Sequence, residues 1–527
     1  MSHDRDSISR AQLIGGMIAT GALAACGRSA NPASAPIAPY VPASPNLARV
    51  NQIFSDPAFK DLDKEALVRH FDPSPQIEAL HRQFFRKAGP QPQIGKVIRH
   101  IPKAGFVIGS PGTYKLGGDI LWAPYDVPSA AITIASSNVT LDLAGFTLRA
   151  SVTDKGVLTA GILVGGLSAI GNVTIVNGTV ANLTEYGIVA TGVIGLTISR
   201  VTVTGVSMQN LDIRALTPAG ICVSKSVGVT ISRCAVTGLN VTTDSCAGII
   251  MTNTSQATVS RCRTSRLVNN DGAVQGFSYI NCTGVTTTAC AADSLQSHFN
   301  GNVLTTGHTV LGFVPIFCLD LSYADCAASR LTGCCDDCHA MSVFLDGQVS
   351  VTRFRGEYVV DGVSATRSGA KATGLEVYGA SVTVTDSAVS HIKAINPQDQ
   401  QATGFSAWGL GIAFERCKAS NVTVEQDMGT TAHAEGFGWA PDPRPEFDFG
   451  AIGVTYTDCT AESCQVGFDT WYHVNSKWIH PKSKNCKIGI LVQANAKRSI
   501  SCDPCSECDP AFTETLTNIA RGNKIVR

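Results

Sequence analysis

Val229-Thr-Ile-Ser-Arg-Cys234 is a short strand-like segment that ends in cysteine, and the chain repeats its frame five more times. Each other copy has an apolar residue five positions before a cysteine: Ala257–Cys262, Val285–Cys290, Leu321–Cys326, Ile412–Cys417 and Val454–Cys459. A glycine stands 14 residues before four of these cysteines: Gly220, Gly248, Gly276 and Gly312. Self-similarity at roughly 20 to 50 residues indicates stacked units that bury their apolar faces against each other. Short β-branched strands broken by Gly, Asn and Ser favour a coil of strands over paired helices.

Two segments nearer the N-terminus continue the strand pattern, Gly112–Ile120 and Ile132–Leu148. They resemble the opening coils of right-handed parallel β-helix proteins, the pectin-lyase-like superfamily. The resemblance implies an all-β fold, a right-handed single-stranded parallel β-helix (solenoid), over residues 94–500. It implies no particular reaction, because the superfamily includes lyases, hydrolases, esterases, epimerases and binding proteins.

The first 26 residues have the pattern of an export signal, an apolar stretch that is too short to span a bilayer. Leu23-Ala24-Ala25-Cys26 resembles the bacterial lipobox, which implies a lipid on Cys26 and a location in the periplasm or at the cell surface. We therefore expect a signal peptide over residues 1–26. Residues 27–46 are rich in Ala, Ser and Pro, which is typical of a flexible tether.

Residues 47–93 carry apolar positions at helical spacing and predict an N-terminal helical cap over the open end of the solenoid. The tail, 501–527, contains Cys502, Cys505 and Cys508, and an earlier loop reads Cys334-Cys335-Asp-Asp-Cys338-His339. Each resembles half of a zinc site, which leaves a periplasmic metal-handling protein open. In an exported chain we expect a disulfide-stapled loop instead, and a copper or zinc site is the alternative.

The repeat cysteines predict a column of inward-facing residues about 4.8 Å apart, and we expect mostly buried free thiols there, with bridged pairs as the alternative. Lys+Arg and Asp+Glu balance at 41 each, which argues against a nucleic-acid binder that works by bulk charge. The sequence implies no definite cofactor, although calcium is left open, and it does not decide between a monomer and a trimer.

The residues after the repeat glycine predict which side chains face outward. The first and third positions are apolar, as in Ile221 and Val223, so alternation sends the second and fourth outward. In the later coils these positions predict an exterior row, the aromatic strip, made of Phe344, Tyr378, Trp408 and Trp471. Acids and a histidine accompany the strip: Asp346, Glu376, Asp469 and His473.

An inserted loop, His433–Phe449, interrupts the repeat beside the aromatic strip. Aromatic residues interleaved with acids suit a sugar chain, whose ring faces stack while its hydroxyls bind carboxylates. We expect substrate binding at Phe344, Tyr378, Trp408, Trp439, Trp471, Asp346 and Arg444. We expect catalysis at Glu376, Asp469, His433, Glu435, His473 and Lys371. The alternative is that a loop or the C-terminal segment covers these aromatics as a second core layer.

Two reactions fit these residues. Glycoside hydrolysis needs two carboxyl groups ~5–5.5 Å apart for retention or ~6.5–9.5 Å for inversion. The candidate pairs are Asp346 with Glu376, and Asp469 with Asp442 or Glu435. β-Elimination needs a base and a group that neutralises the uronate carboxylate, and the candidates are Lys371, Tyr378, His433, Arg444 and His473. No catalytic motif of the superfamily is intact, so none is carried over.

The sequence therefore predicts an exported, lipid-anchored enzyme that cleaves or modifies a polysaccharide, as a lyase or a glycoside hydrolase. Its predicted partners are the polysaccharide and, through the lipid, the membrane. The competing class is a non-catalytic carbohydrate-binding or surface-structural β-helix, which needs no acid or base in its groove.

Overall fold

The computed structural model describes most of the region predicted to form the solenoid. The described residues are 96–124, 128–151, 158–165, 169–208, 217–298, 308–334, 337–362, 370–395, 400–425, 433–438, 451–469, 473–474, 476–494, 498–500 and 524–526. The predicted signal, tether and helical cap and most of the cysteine-rich tail lie outside these ranges. Among the described residues, no helix is long and apolar enough to cross a membrane.

The chain is a parallel β-helix, as the repeat predicts. Each coil contributes one strand to each of three parallel sheets, and equivalent residues of successive coils lie side by side, such as Ile221 with Ile249 and Val229 with Ala257. The first sheet contains Phe106–Ile108, Ser129–Ile134, Thr159–Val164, Tyr186–Thr191, Ala219–Ser224, Ser245–Thr252, Ala273–Ile280, Val310–Ile316, Gln400–Leu410, His433–Gly438, Val466–Asp469 and Ile488–Ala494. Two long strands run from the first sheet into the second: Asp337–Thr352 and Ala370–Thr385.

The second and third sheets follow in chain order within each coil. The second contains Val97–Ile98, Gly112–Leu116, Val139–Asp142, Val227–Ser232, Ser255–Ser260, Thr283–Thr288, Leu319–Ala324, Ala413–Glu415, Thr455–Thr457, Lys477–Ile479 and Lys524–Val526. The third contains Ile120–Trp122, Thr147–Ala150, Ser207–Met208, Ala235–Val241, Arg263–Asn269, Ala291–Ser297, Ala327–Thr332, Arg355–Asp361, Ala388–Ala394, Lys418–Val424, Thr460–Glu462 and Lys482–Lys484. Two strands join these sheets: Ile170–Ala181 and Val193–Thr204. Short strands remain at Ala451–Ile452 and His473–Val474, and Arg498–Ile500 pairs antiparallel with Ile488–Ala494.

The corner between the second and third sheets explains the cysteine repeat. The residue before the cysteine adopts the left-handed region, with φ of 52° at Arg233 and 53° at Arg261. The cysteine then turns inward, and the Cys262 thiol donates to the Ile231 carbonyl at 3.5 Å. Fourteen cysteines of the described ranges are buried free thiols, Cys334 and Cys338 among them. The prediction of a disulfide-stapled loop is therefore wrong for these two.

The repeat glycine lies where the first sheet comes closest to the third. A Cβ on Gly220 would stand 2.2 Å from Cγ1 of Val236, which leaves room for hydrogen only. Inside the coil, aromatic rings stack from one coil to the next, with Phe277 and Phe313 centroids 4.8 Å apart. The apolar first position of the repeat therefore faces the core, as alternation predicts.

Burial distinguishes the first sheet from the other two. In the second and third sheets, buried and more exposed residues alternate, as in Leu319–Ala324. In the first sheet every residue of Ser245–Thr252 and Ala273–Ile280 is buried. The first sheet is therefore covered on its outer face as well as on its inner one.

Candidate functional site

The aromatic strip is aligned as predicted, but it is not exposed. The Phe344 and Tyr378 rings stack with centroids 5.3 Å apart, and Trp408 follows 5.8 Å from Tyr378. Their exposed fractions are only 7%, 8% and 3%. The prediction of an exterior strip is wrong for these three residues, because alternation fixes the side of a sheet but not whether that side is covered. Trp439 and Trp471 lie outside the described residues.

Asp346 turns away from the aromatic strip. The register of the long strand shifts between Phe344 and Asp346, and the Asp346 carboxylate accepts the backbone N–H groups of Phe344, at 3.0 Å, and of Cys318. Burial raises the pKa of Asp346 well above its usual range. The predicted pair of Asp346 with Glu376, and the role of Asp346 in binding sugar, are therefore not supported by this geometry.

His473 is a core residue. It is fully buried, its Nε2 atom lies 3.0 Å from the Tyr456 hydroxyl, and its ring packs 5.2 Å from Trp478. The prediction of a groove histidine is wrong, because the strand pairing places His473 opposite Ala451 at an inward position.

The outer face of the first sheet instead contains an ionisable group that we call the Glu376 cluster: Asp337, His339, Ser342, Lys371 and Glu376. Lys371 Nζ lies 2.8 Å from Glu376 Oε1, and the Ser342 hydroxyl donates to Glu376 Oε2 at 3.2 Å. His339 bridges two carboxylates, with Nδ1 3.5 Å from Glu376 Oε2 and Nε2 3.6 Å from Asp337 Oδ1. Glu376 therefore has three polar side chains around one carboxylate.

Two neighbouring strands position the Glu376 cluster. In the register of Asp337–Thr352 with Ala370–Thr385, Asp337 lies opposite Lys371 and Ser342 lies opposite Glu376. The Lys371 backbone N–H is fixed by Asp361 Oδ2 at 2.8 Å. All five side chains of the cluster are buried, so Lys371 supplies the positive charge that a buried carboxylate requires.

A second acidic group lies two coils further along the same sheet. Glu435 and Asp469, a predicted pair, are hydrogen-bonded to each other through their side chains and are 2% and 1% exposed. Burial, followed by the charge of Asp469, raises the pKa of Glu435 well above its usual range. Gly438 lies against this pair, and a Cβ there would stand 2.0 Å from Glu435 Oε2. Asp442, Arg444 and the side chain of His433 lie outside the described residues.

Hydroxyl groups separate the two acidic groups. Thr373 and Ser406 are fully buried, and within the described part of the chain their hydroxyls have no hydrogen-bond partner. An orphaned buried hydroxyl is unfavourable unless water or a ligand completes it. The hydroxyls of Thr373 and Ser406, which lie between Glu376 and Glu435, can therefore form hydrogen bonds with a water molecule or a ligand.

Asp337 and His339 were missed by sequence reasoning, because their segment was interpreted as a cysteine-rich loop. The repeat could have revealed that this segment begins a strand, because Ala340 occupies the position that Gly312 and Gly374 hold in the neighbouring coils. Among the residues described, no group of three or more His, Cys, Asp or Glu side chains is arranged to hold a metal ion.

No family model and no curated protein matches the chain. Solved structures with a similar fold include the tailspike protein of E. coli bacteriophage HK620 in complex with a pentasaccharide, at 12% identity over 79% of this chain and 72% of that one, with a TM-score of 0.36. The Streptococcus pneumoniae surface adhesin PfbA is similar at 10% identity over 81% and 92%, with a TM-score of 0.33. These values describe a likeness of fold alone.

Proposed function

We propose that the protein hydrolyses a polysaccharide, with Glu435 as the general acid and Glu376 as the general base. The observation that carries the proposal is the concentration of buried ionisable side chains on the outer face of the later coils. In the three preceding coils the equivalent positions hold no ionisable residue: they are Leu311, Gln275 and Ala247 for His339, and Val314, Ser278 and Ile250 for Glu376. Buried charges cost several kcal/mol each, so a purely structural layer has no use for them.

The two carboxyl groups have opposite environments, which suits them to opposite roles. Glu435 retains its proton to higher pH because of its raised pKa, so it can protonate the leaving oxygen. Glu376 is ion-paired with Lys371 and can accept a proton from water. Glu376 and Thr373 lie on the same strand, Thr373 pairs with Thr403, and Thr403 pairs with Glu435. Two inter-strand spacings of about 4.8 Å therefore separate the coil of Glu376 from the coil of Glu435. Glu376 itself pairs with Ser406, three residues after Thr403, so the two acids are also offset along the strands.

The geometry favours hydrolysis over β-elimination. Lys371, a predicted base, is ion-paired with Glu376 at 2.8 Å, and His473 lies in the core. Tyr378 and Trp408 lie on the same strands as Glu376 and Ser406, so they can stack on a sugar ring that reaches the acids. Substrate entry then requires the covered face to open.

The second candidate is a non-catalytic carbohydrate-binding or surface-structural β-helix. The stacked and buried rings of Phe344, Tyr378 and Trp408 favour it, because they already form a second packed layer.

The test is an assay of new reducing ends over a panel of polysaccharides, with ultraviolet absorbance of unsaturated uronates measured in parallel. Glu435→Gln and Glu376→Gln should each lower kcat by about 10²-fold or more on the polysaccharide that the parent cleaves. Asp386→Asn is the control, because that carboxylate belongs to an exposed ion pair with Arg416. A parent that produces neither reducing ends nor double bonds would support the non-catalytic candidate.

We also propose export with a lipid on Cys26, which the lipobox resemblance supports. Cys26→Ser should move the protein from the membrane fraction to the soluble fraction of the producing bacterium. An unchanged distribution would refute the anchor without affecting the proposed reaction.

A further inference from the structure

Three arginines form a column on the surface, at the corner between the second and third sheets. Arg200, Arg233 and Arg261 occupy the same corner position in three successive coils, because Ser199, Ser232 and Ser260 before them are register partners. All three arginines are exposed. Since neighbouring coils are about 4.8 Å apart, the column presents one positive charge per coil along the solenoid axis.

The charge of this arginine column is not compensated. The strand segments 193–208, 227–241 and 255–269 contain no aspartate or glutamate, and of their five arginines only Arg263 forms an ion pair among the residues described, with Asp293 at 2.7 Å. Arg200 donates through Nε to Asn177 Oδ1 at 2.6 Å, and within the described ranges neither Arg233 nor Arg261 contacts a carboxylate. Later coils differ at the same corner, where Arg353 pairs with Asp325 and Arg416 pairs with Asp386, both at 2.6 Å.

The backbone does not explain the arginines. Arg200, Arg233 and Arg261 have φ between 52° and 53°, in the left-handed region where asparagine and glycine are favoured over longer side chains. Asn177 adopts the same left-handed conformation at the equivalent corner of the preceding coil. Seven arginines of the described ranges adopt this region, so the arginine column is distinguished by its uncompensated charge and not by its backbone conformation.

We propose that the arginine column binds an anionic glycan, at a site separate from the Glu376 cluster. Guanidinium groups pair in bidentate fashion with carboxylate, phosphate or sulfate, the acidic groups of such chains. The adjacent surface of the third sheet presents the half-buried hydroxyls of Thr202, Thr237 and Ser265, and Thr237 already accepts hydrogen bonds from Ser265 at 3.3 Å and from Arg266 at 3.1 Å. Segments 193–208, 227–241 and 255–269 contain no Phe, Tyr or Trp for base stacking, which disfavours single-stranded nucleic acid.

The test compares the full chain with the triple variant Arg200→Gln/Arg233→Gln/Arg261→Gln in titrations with sodium polygalacturonate. We expect the parent to bind, to lose affinity as salt rises, and to be weakened at least tenfold by the triple variant. Arg353→Gln/Arg416→Gln is the matched control, because these arginines occupy the same corner but are ion-paired, and it should stay within twofold of the parent.

A second triple variant guards against a folding defect. Asparagine tolerates the left-handed region, so Arg200→Asn/Arg233→Asn/Arg261→Asn should keep the parent's unfolding midpoint and lose the same affinity. Unchanged affinity in either folded triple variant would overturn the proposal. So would equal binding of neutral dextran, or binding of poly(dT) in place of polygalacturonate. Glu376→Gln should keep full affinity, so failure of the proposed reaction and failure of this site are distinguishable.

Discussion

Replacing Lys371 by methionine tests whether the Glu376 cluster is buried as the structure has it. Lys371 and Glu376 are 9% and 3% exposed, and their ion pair measures 2.8 Å. Lys371→Met keeps the length of the side chain but leaves the Glu376 charge without its cation. Removing one partner of a buried pair destabilises by about 3–5 kcal/mol, whereas an exposed pair is worth about 1 kcal/mol or less.

The assay is urea unfolding of the full chain, followed by tryptophan fluorescence and circular dichroism. The control is Lys393→Met, because Lys393 and Glu425 form a similar pair at 3.1 Å with side chains 38% and 46% exposed. Lys371→Met should lower the free energy of unfolding by several times the effect of the control. The double variant Lys371→Met/Glu376→Gln should recover much of that loss, because it removes the orphaned charge. Equal effects of the two lysine substitutions would refute the burial of the cluster.

Three further predictions concern Glu185, Gly438 and the described cysteines. Burial raises the pKa of Glu185 from 4.5 to about 8, so its contribution to stability is full below pH 4.5 and is lost as the pH rises toward 8. Glu185→Gln should therefore be neutral at pH 4.5 and stabilising at pH 8 in thermal unfolding, and a pH-independent effect would contradict the assignment. Gly438→Ala should displace the Glu435 carboxyl and lower turnover on the order of 10²-fold with little loss of stability. Gly118→Ala is the control and should leave turnover unchanged, because its added Cβ meets nothing within 4 Å. Unfolded, unreduced protein should react with at least 14 equivalents of a thiol reagent, and fewer would mean that the described cysteines form disulfides.

The architecture could be predicted because each coil repeats the same local requirements. Cysteine follows a left-handed corner residue and faces inward, and Gly220 stands where only hydrogen fits beside Val236. These constraints recur at a fixed spacing in the sequence, so the period alone indicates stacked coils. The alignment of Phe344, Tyr378 and Trp408 followed from the same period.

The site was only partly predictable, because its features break the period. A register shift after Phe344 turned Asp346 inward, and no residue pattern announces a shift of one position. Ala340 stands in place of the repeat glycine, so Asp337 and His339, which precede it, were interpreted as part of a cysteine-rich loop and not as the start of the strand. The cover over the outer face of the first sheet depends on tertiary packing, which alternation within one strand does not encode.

The most direct test of the central proposal is a crystal structure of the Glu435→Gln variant with an oligosaccharide that the parent cleaves. We predict a sugar ring on the outer face of the first sheet, within hydrogen-bond distance of Glu376 and stacked on Tyr378 or Trp408. An oligosaccharide bound elsewhere, with the Glu376 cluster still covered and its ion pair with Lys371 unchanged, would contradict the proposal.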